Sequence, residues 1–425
     1  MKIYCSGIGG IGVSAYAALQ HTAGHEVLGS DRSQSALTKD LQSQGIEVFT
    51  EQNGSHLTED IDLFVYSEAI PTDAPERVRA EEFGITQMSY FQALGEISKE
   101  NRVIAVCGTH GKSSTVAMAA RVLVDAGKDP TVVVGTKLQE LDGRNWRSGK
   151  GDLFLLEACE YRRSFHHLSP DIILMTNVDG DHFDAFDSVE EYQQAFKEFL
   201  ELLPSDGTVV THLGDSDCSR TVEGVERSVL DVDNLPLPEL KTPGRHMQEN
   251  AQLVLGLTDL LEIDRNDALK SLSQYAGCWR RMEVKGECGD SVTVIDDYGH
   301  HPREVRAVLS ALKEAYSSRR LVCVFQPHTH DRTIKLYDDF VTAFSDADVV
   351  ILSDVYEARM DIETKEVDME KFVSDITKKS KVKCMLGGPL NSVKILLTDQ
   401  ILKSDDVLLT LGAGTITKLS DDLVS

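Results

Sequence analysis

A run of apolar residues, Arg102–Cys107, leads directly into Gly108-Thr109-His110-Gly111-Lys112-Ser113-Ser114, and a helical pattern over Lys112–Ala126 follows at once. Strand, glycine turn, lysine and hydroxyl, then helix is the order a phosphate-binding loop requires. In such a loop backbone N–H groups cradle phosphate oxygens, Lys112 neutralises their charge and the Ser113 hydroxyl reaches Mg²⁺. Position 106 is Val and only two residues part the glycines, so the loop is shorter than the general form. The competing reading is a glycine turn carrying an incidental lysine.

A second glycine run, Gly7-Ile8-Gly9-Gly10-Ile11-Gly12, lies between a strand at Lys2–Cys5 and a helix from about Gly12 to Thr22. Its placement lets a diphosphate approach the backbone, with the helix N-terminus supplying partial positive charge. Asp31 follows Gly12 by 19 residues, after the strand Glu26–Gly29. An acid there can accept a hydroxyl from a ribose. Taken alone, this motif leaves NAD, FAD, another nucleotide diphosphate and a merely tight turn open. Two nucleotide sites in one chain speak against a simple dehydrogenase; one phosphate donor and one nucleotide-activated substrate fit better.

Two acidic segments follow strands of the central region. Glu157-Ala158-Cys159-Glu160 comes after Leu153–Leu156, and Thr176-Asn177-Val178-Asp179-Gly180-Asp181-His182-Phe183-Asp184 comes after Ile172–Met175. A carboxylate at the C-terminal end of such a strand is placed to hold a metal, which marks Glu157. His182 is a candidate ligand for a second divalent ion, with a solvated loop cluster as the alternative. Two metals suit the joining of a carboxylate to ATP, because charge crowds between the reacting oxygens.

At 425 residues the chain exceeds one core. Strand–helix alternation restarts near residue 100 and again after Trp279, giving three α/β units in series. The third shows strands at Val292–Ile295, Leu321–Phe325, Val349–Leu352 and Val407–Leu411, with helices at Arg303–Tyr316 and Asp338–Phe344. Asp231–Pro243, with three prolines, reads as a loop or edge segment. A formal charge of −26 argues against nonspecific nucleic-acid binding. The chain has no apolar run long enough to suggest a membrane span, and a strand-like N-terminus leaves no room for a signal peptide. Eight scattered cysteines with no CxxC pair suggest free thiols in a reducing cytoplasm.

Ten segments, in order, resemble the Mur ligase family: GIGGIGVSAYA, GTHGKSS, EACEYRRSF, TNVDGDHFDAF, GRHMQENA, RRMEVKGE, IDDYGHHPREV, FQPHTHDRT, SDVYEAR and LGAGTIT. The resemblance implies an α/β protein of three domains. Residues 1–98 would be a Rossmann-like UDP-sugar domain, 99–279 a central P-loop ATPase-like domain with a mixed sheet, and 280–425 a Rossmann-like domain that brings the amino acid and closes on the nucleotide. It further implies a cytoplasmic, ATP-dependent ligase of peptidoglycan precursor synthesis that adds L-alanine to the lactyl carboxylate of UDP-N-acetylmuramate through an acyl phosphate. Mg²⁺ would be the metal, with Mn²⁺ as a substitute, and the chain would act as a monomer or homodimer. A relative that attaches a whole tripeptide, and a non-catalytic UDP-sugar or ATP binder, are the alternatives.

Residue by residue, the resemblance sets Gly7, Gly9, Gly10, Ile11, Gly12, Asp31 and Ser67 at the UDP-sugar. It sets Gly108, Thr109, His110, Gly111, Lys112, Ser113, Ser114, Asn250, Arg281 and Asp297 at ATP, and Ser113, Glu157 and His182 at metal. Lys112, His182, Arg281 and Asp297 would carry catalysis. Tyr298, His300, His301, His328 and Arg332 would face the amino acid, where a guanidinium can fork onto an α-carboxylate; a packed turn before Pro302 is the other reading of Tyr298 and His301. The chain departs from the family pattern in three places. Met247 stands where an asparagine usually follows the histidine, Thr329 replaces an arginine of some members, and Phe196 occupies the position of a lysine that other members carbamylate, with Lys197 next to it.

Overall fold

Short apolar runs rich in Val, Ile and Leu become the strands of three sheets. The computed structural model describes residues 1–180, 185–357 and 365–424. The first sheet contains β1 (Lys2–Ser6), β2 (Glu26–Ser30), β3 (Glu47–Phe49), β4 (Leu63–Tyr66) and β5 (Thr86–Ser89), in the order β3-β2-β1-β4-β5 with every pair parallel. The second contains β6 (Arg102–Cys107), β7 (Thr131–Leu138), β8 (Arg144–Arg147), β9 (Leu153–Glu157), β10 (Ile172–Met175), β11 (Thr208–Thr211) and β12 (Ser228–Asp231). Their order is β12-β11-β10-β6-β9-β7-β8, and only the β7–β8 hairpin is antiparallel. The third contains β13 (Glu283–Cys288), β14 (Val292–Asp297), β15 (Leu321–Phe325), β16 (Val349–Ser353), β17 (Lys383–Gly388) and β18 (Val407–Leu411). It runs β13-β14-β18-β15-β16-β17, with β13 antiparallel at one edge.

The first two sheets share one core. Ile3 of the first sheet, with Ala15 and Leu94 of its helices, belongs to the same buried cluster as Val103 and Phe154 of the second and Phe165 beside it. The helix Ile11–Thr22 packs on β7 and β8, and the Asn145 side chain donates to the Ile11 carbonyl. Packing therefore divides the chain into two compact units, residues 1–238 with 250–273, and residues 239–249 with 274–425. The expected boundary at 98/99 falls between two sheets that share one cluster, while the other face of the first sheet buries a cluster of its own, with Tyr4, Leu28, Phe64 and Ile85.

In the second unit the four inner strands, β14, β18, β15 and β16, are buried on both faces, and the edge strands β13 and β17 are not. Ile295, Phe325 and Leu409 face one cluster with Leu309 and Phe372, while their neighbours Val294, Val324 and Leu408 face another with Leu397 and Leu419. This is the period-two alternation of a parallel sheet covered by helices. Local chemistry sets the helix starts. Ser89 and Gln92 form a capping box for Tyr90–Ser98, and Ser188 caps Val189–Leu200.

The structure refines several expected bounds. β14 runs on to Asp297, so Asp296 and Asp297 end a strand rather than open a loop. Of the helix expected at 338–344 only the start forms, as the short helix Tyr337–Phe340, and a separate short helix, His330–Lys335, precedes it across Leu336. Only Asp231 of the proline-containing segment is strand, at the sheet edge. Among the described residues no helix is long and apolar enough to cross a membrane, and all eight cysteines are free thiols.

Candidate active site

Strand order brings the central motifs together. β6 lies between β9 and β10, all parallel, with Val106 opposite Glu157 and Cys107 opposite Met175. The segments that follow these strands, from Gly108, Glu157 and Thr176, therefore leave the sheet side by side at its carboxyl edge. Gly111 caps the helix Lys112–Asp125 in a left-handed conformation (φ 82°), which opens the helix N-terminus to an anion. Cross-strand hydrogen bonds fix the loop. Thr176 Oγ1 (2.6 Å) and Asn177 Nδ2 (3.1 Å) donate to the His110 carbonyl, the His110 N–H donates to Asn177 Oδ1 (2.9 Å), and Thr109 Oγ1 donates to the Asp179 carbonyl (2.7 Å). The Tyr192 hydroxyl, 2.9 Å from Thr109 Oγ1, braces it from below.

Lys112 folds back over its own loop. Its ammonium donates to the carbonyls of Gly108 (2.5 Å) and Thr109 (3.1 Å) and to Glu160 Oε1 (3.0 Å). Burial alone would lower its pKa; Glu160, and after it Glu157, outweigh that and hold it up at about 12. Ser113 Oγ donates to Glu157 Oε2 (2.9 Å), which also accepts the Gly135 N–H (2.9 Å). A hydroxyl and a carboxylate in contact beside a phosphate loop are hard oxygen donors of the kind Mg²⁺ takes. Asn250, far along the chain, rests on the loop: a Cβ on Gly111 would lie 2.6 Å from Asn250 Oδ1. His182 lies outside the described residues. Phe196 is in the core against Phe165, and the Lys197 ammonium donates to the Glu223 carbonyl (2.6 Å).

The first glycine run is assembled by the same logic, since β1 lies between β2 and β4. The N–H groups of Gly7 (2.8 Å) and Ile8 (3.0 Å) donate to the Ser30 carbonyl, and the Ser67 N–H donates to the Ser6 carbonyl (3.0 Å). Gly7–Gly12, Asp31 and Ser67 thus meet at one edge. Asp31 also shapes the loop, because its Oδ2 accepts the Gly9 N–H (3.0 Å) and its Oδ1 the Ser33 N–H (3.2 Å).

In the second unit β14 neighbours β18, which neighbours β15, so the turns at Asp297, Gln326 and Gly412 converge. Asp297 is buried and accepts the N–H groups of Met282 (2.8 Å) and Gly299 (2.7 Å). Burial pushes its carboxyl up to about 6, against the pull of Arg281 and these two donors. Two arginines, Arg280 and Arg281, each lie 5.1 Å from the Tyr298 ring centre. Arg280 is buried, paired with Asp296 (2.8 Å) and donating to the carbonyls of Gly412 and Gly414. Arg281 is more exposed and faces Glu304 at 3.7 Å.

Tyr298, His300 and His328 form a chain of ring contacts that ends on Tyr356, with centroids 5.5 to 5.8 Å apart. Arg332 donates to the His328 carbonyl (3.0 Å) and lies 3.1 Å from its Nδ1. His301 is buried and differently engaged: its Nδ1 accepts the Arg303 N–H (3.3 Å) as the cap of the helix Pro302–Ala315. Thr329 stands at the N-cap position of the helix His330–Lys335 without a side-chain capping bond, and Met247 is buried. Sequence reasoning singled out neither Glu160 nor Tyr356 nor Glu304. Glu160 stood in plain view, three residues beyond Glu157 at the same sheet edge.

The chain matches three family models in series: "Mur ligase family, catalytic domain" over residues 2–102, "Mur ligase middle domain" over 106–235 and "Mur ligase, glutamate ligase domain" over 280–414. It is 35% identical to the UDP-N-acetylmuramate–L-alanine ligase of Clostridium novyi, an alignment covering 99% of this chain and 96% of that protein. The chain belongs to the Mur ligase family. Among solved structures, this Mur ligase is similar to the UDP-N-acetylmuramate–alanine ligase of Thermotoga maritima, at 28% identity and TM-score 0.82, covering 100% of this chain and 98% of that one. It shares its fold with the murein peptide ligase of Psychrobacter arcticus, at 22% identity and TM-score 0.73, covering 100% and 98%. All three sheets of the Mur ligase are thus accounted for by one family across the whole chain.

Proposed function

We propose that this Mur ligase joins L-alanine to the lactyl carboxylate of UDP-N-acetylmuramate, consuming ATP and releasing ADP and phosphate. The observation that carries the reading is the full-length similarity to L-alanine ligases together with a phosphate loop whose Lys112 and Ser113 face two carboxylates. Residues 1–98 hold the UDP-sugar through Gly7, Gly9, Gly10, Ile11, Gly12, Asp31 and Ser67. Residues 99–279 hold ATP through Gly108–Ser114 and Asn250. Residues 280–425 supply Arg281 and Asp297 to the nucleotide and Tyr298, His300, His301, His328 and Arg332 to the amino acid.

In the first step a muramate carboxylate oxygen attacks the γ-phosphorus, forming the acyl phosphate as the bond to the β-phosphate oxygen breaks. In the second the alanine amine attacks the acyl carbon, phosphate leaves with the bonding electrons, and the nitrogen releases one proton as it becomes the amide. The loop N–H groups and the helix dipole hold the triphosphate, while the Lys112 ammonium meets the charge that moves onto the bridging oxygen. Ser113 and Glu157, with His182, would hold Mg²⁺, which would supply charge neutralisation where carboxylate and phosphate oxygens crowd. Eight free thiols and substrates made inside the cell, ATP and a UDP-sugar, support a cytoplasmic setting for the proposed reaction.

Phosphate release with ATP, Mg²⁺ and UDP-N-acetylmuramate, run across L-alanine, glycine, L-serine and a tripeptide, tests the reading. Release that depends on L-alanine, with a product heavier by one alanine residue, is the expected outcome. Release with the tripeptide alone would move the chain to the recycling reaction, and release with no acceptor would end the ligase reading.

A further inference from the structure

The phosphate-loop lysine has a second partner that the proposed chemistry leaves without a role. Glu160 lies one turn beyond the β9 edge, its side chain only 1% exposed, and its two oxygens sit 3.0 and 2.9 Å from Lys112 Nζ. An ammonium has three N–H donors. Here they are directed at the carbonyls of Gly108 and Thr109 and at this carboxylate. An incoming phosphate must therefore take the place of one acceptor. The neutral carbonyls are the weaker partners, because only the carboxylate adds the attraction of a full opposite charge, which is strong in a poorly solvated site. Glu157 is not interchangeable with Glu160, since its Oε2 is already engaged by Ser113 and Gly135.

We infer that Glu160 is a positioning residue for nucleotide recognition. It keeps the Lys112 ammonium anchored at the back of the loop while a loop carbonyl yields its N–H to the terminal phosphate of ATP. The inference rests on the ATP-binding reading of the loop, not on which acceptor the enzyme uses. Placing a buried carboxylate beside a phosphate site costs affinity for any anion, and an ion pair with the lysine is what makes it tolerable. In return the lysine has one direction left to point. Loop N–H groups alone would hold ADP and ATP similarly, so the anchored ammonium is what separates them.

The test compares dissociation constants for ATP and ADP, measured with a displaced fluorescent nucleotide, in the wild-type chain, Glu160→Gln and Glu160→Asp, alongside melting temperature and kcat. Glu160→Gln keeps the shape and removes the charge. Its preference for ATP over ADP is expected to fall about tenfold, the scale of one hydrogen bond to a charged group, and kcat is expected to fall with it. Glu160→Asp, which keeps the charge, is expected to recover at least part of both. An unchanged preference in Glu160→Gln overturns the inference. So does an equal loss of ATP and ADP affinity in both variants with a lowered melting temperature, which marks a purely structural residue. A wild-type chain that turns over with no acceptor while Glu160→Gln still loses the ATP preference would overturn the ligase reading and leave this one standing.

Discussion

Lys112 concentrates the chemistry at the scale of single residues. It is buried, fully protonated at neutral pH and aimed along the loop that ends β6. Lys112→Ala is expected to lower turnover by about 100-fold to 1,000-fold, the usual result of removing one preorganised charge donor. Affinity for the UDP-sugar, measured by calorimetry without ATP, should be unchanged; a matching loss there would mean that the loop does not serve ATP. Asp297 gives a different kind of expectation. Its folded pKa is raised from 3.8 to about 6, mainly by burial, so folding favours the protonated form. Its contribution to stability is complete below about pH 4 and is lost as pH rises through about 6, an effect of about 3 kcal/mol. Urea titrations across pH 4–7 should show Asp297→Asn with a flatter profile in that window than the wild type. A profile that keeps its wild-type slope would refute the buried acid.

Two element starts couple folding to function. The helix Lys112–Asp125 opens from a left-handed Gly111, and Asn250 fills the space a side chain there would need. Gly111→Ala strains the backbone by about 1–2 kcal/mol and displaces Asn250. The expected outcome is a KM for ATP raised about tenfold or more, with the KM for alanine unmoved. The helix Pro302–Ala315 is held by Glu304, whose Oε2 accepts the N–H groups of His300 (2.9 Å) and His301 (3.1 Å). Glu304→Ala removes the reciprocal half of the capping box and should cost about 1–2 kcal/mol in urea unfolding. Because Glu304 also faces Arg281, the same variant is expected to weaken ATP turnover, whereas disrupting an ordinary cap would affect stability alone.

At the scale of the whole molecule, the sheets do not map one-to-one onto cores. The first two sheets share one cluster, the first keeps a second cluster of its own around Tyr4 and Phe64, and the clusters around the third sheet are drawn wholly from residues beyond 281. Residues 1–98 expressed alone would expose the face that covers Trp146 and Phe165 and should bind a hydrophobic dye without a cooperative melt. Residues 274–425 alone should melt cooperatively, as followed by far-UV circular dichroism. Independent folding of 1–98 would show the shared core to be dispensable.

The three-sheet α/β plan and the loops at Gly7, Gly108 and Glu157 were legible because each is a local pattern. Apolar runs of strand length, glycines between strand and helix, and an acid just after a strand need no knowledge of the rest of the chain. The resemblance supplied Asn250, Ser67 and the set from Tyr298 to Arg332, which no spacing reveals. Only the tertiary structure decided the pairings. Lys112 meets Glu160 because β6 pairs with β9, His301 is drawn into a helix cap because Glu304 follows three residues later, and Asn250 reaches Gly111 because its helix packs over the loop. Strand order and register are set by burial summed over many residues far apart in sequence, and a one-dimensional pattern carries the faces of each strand but not its neighbours.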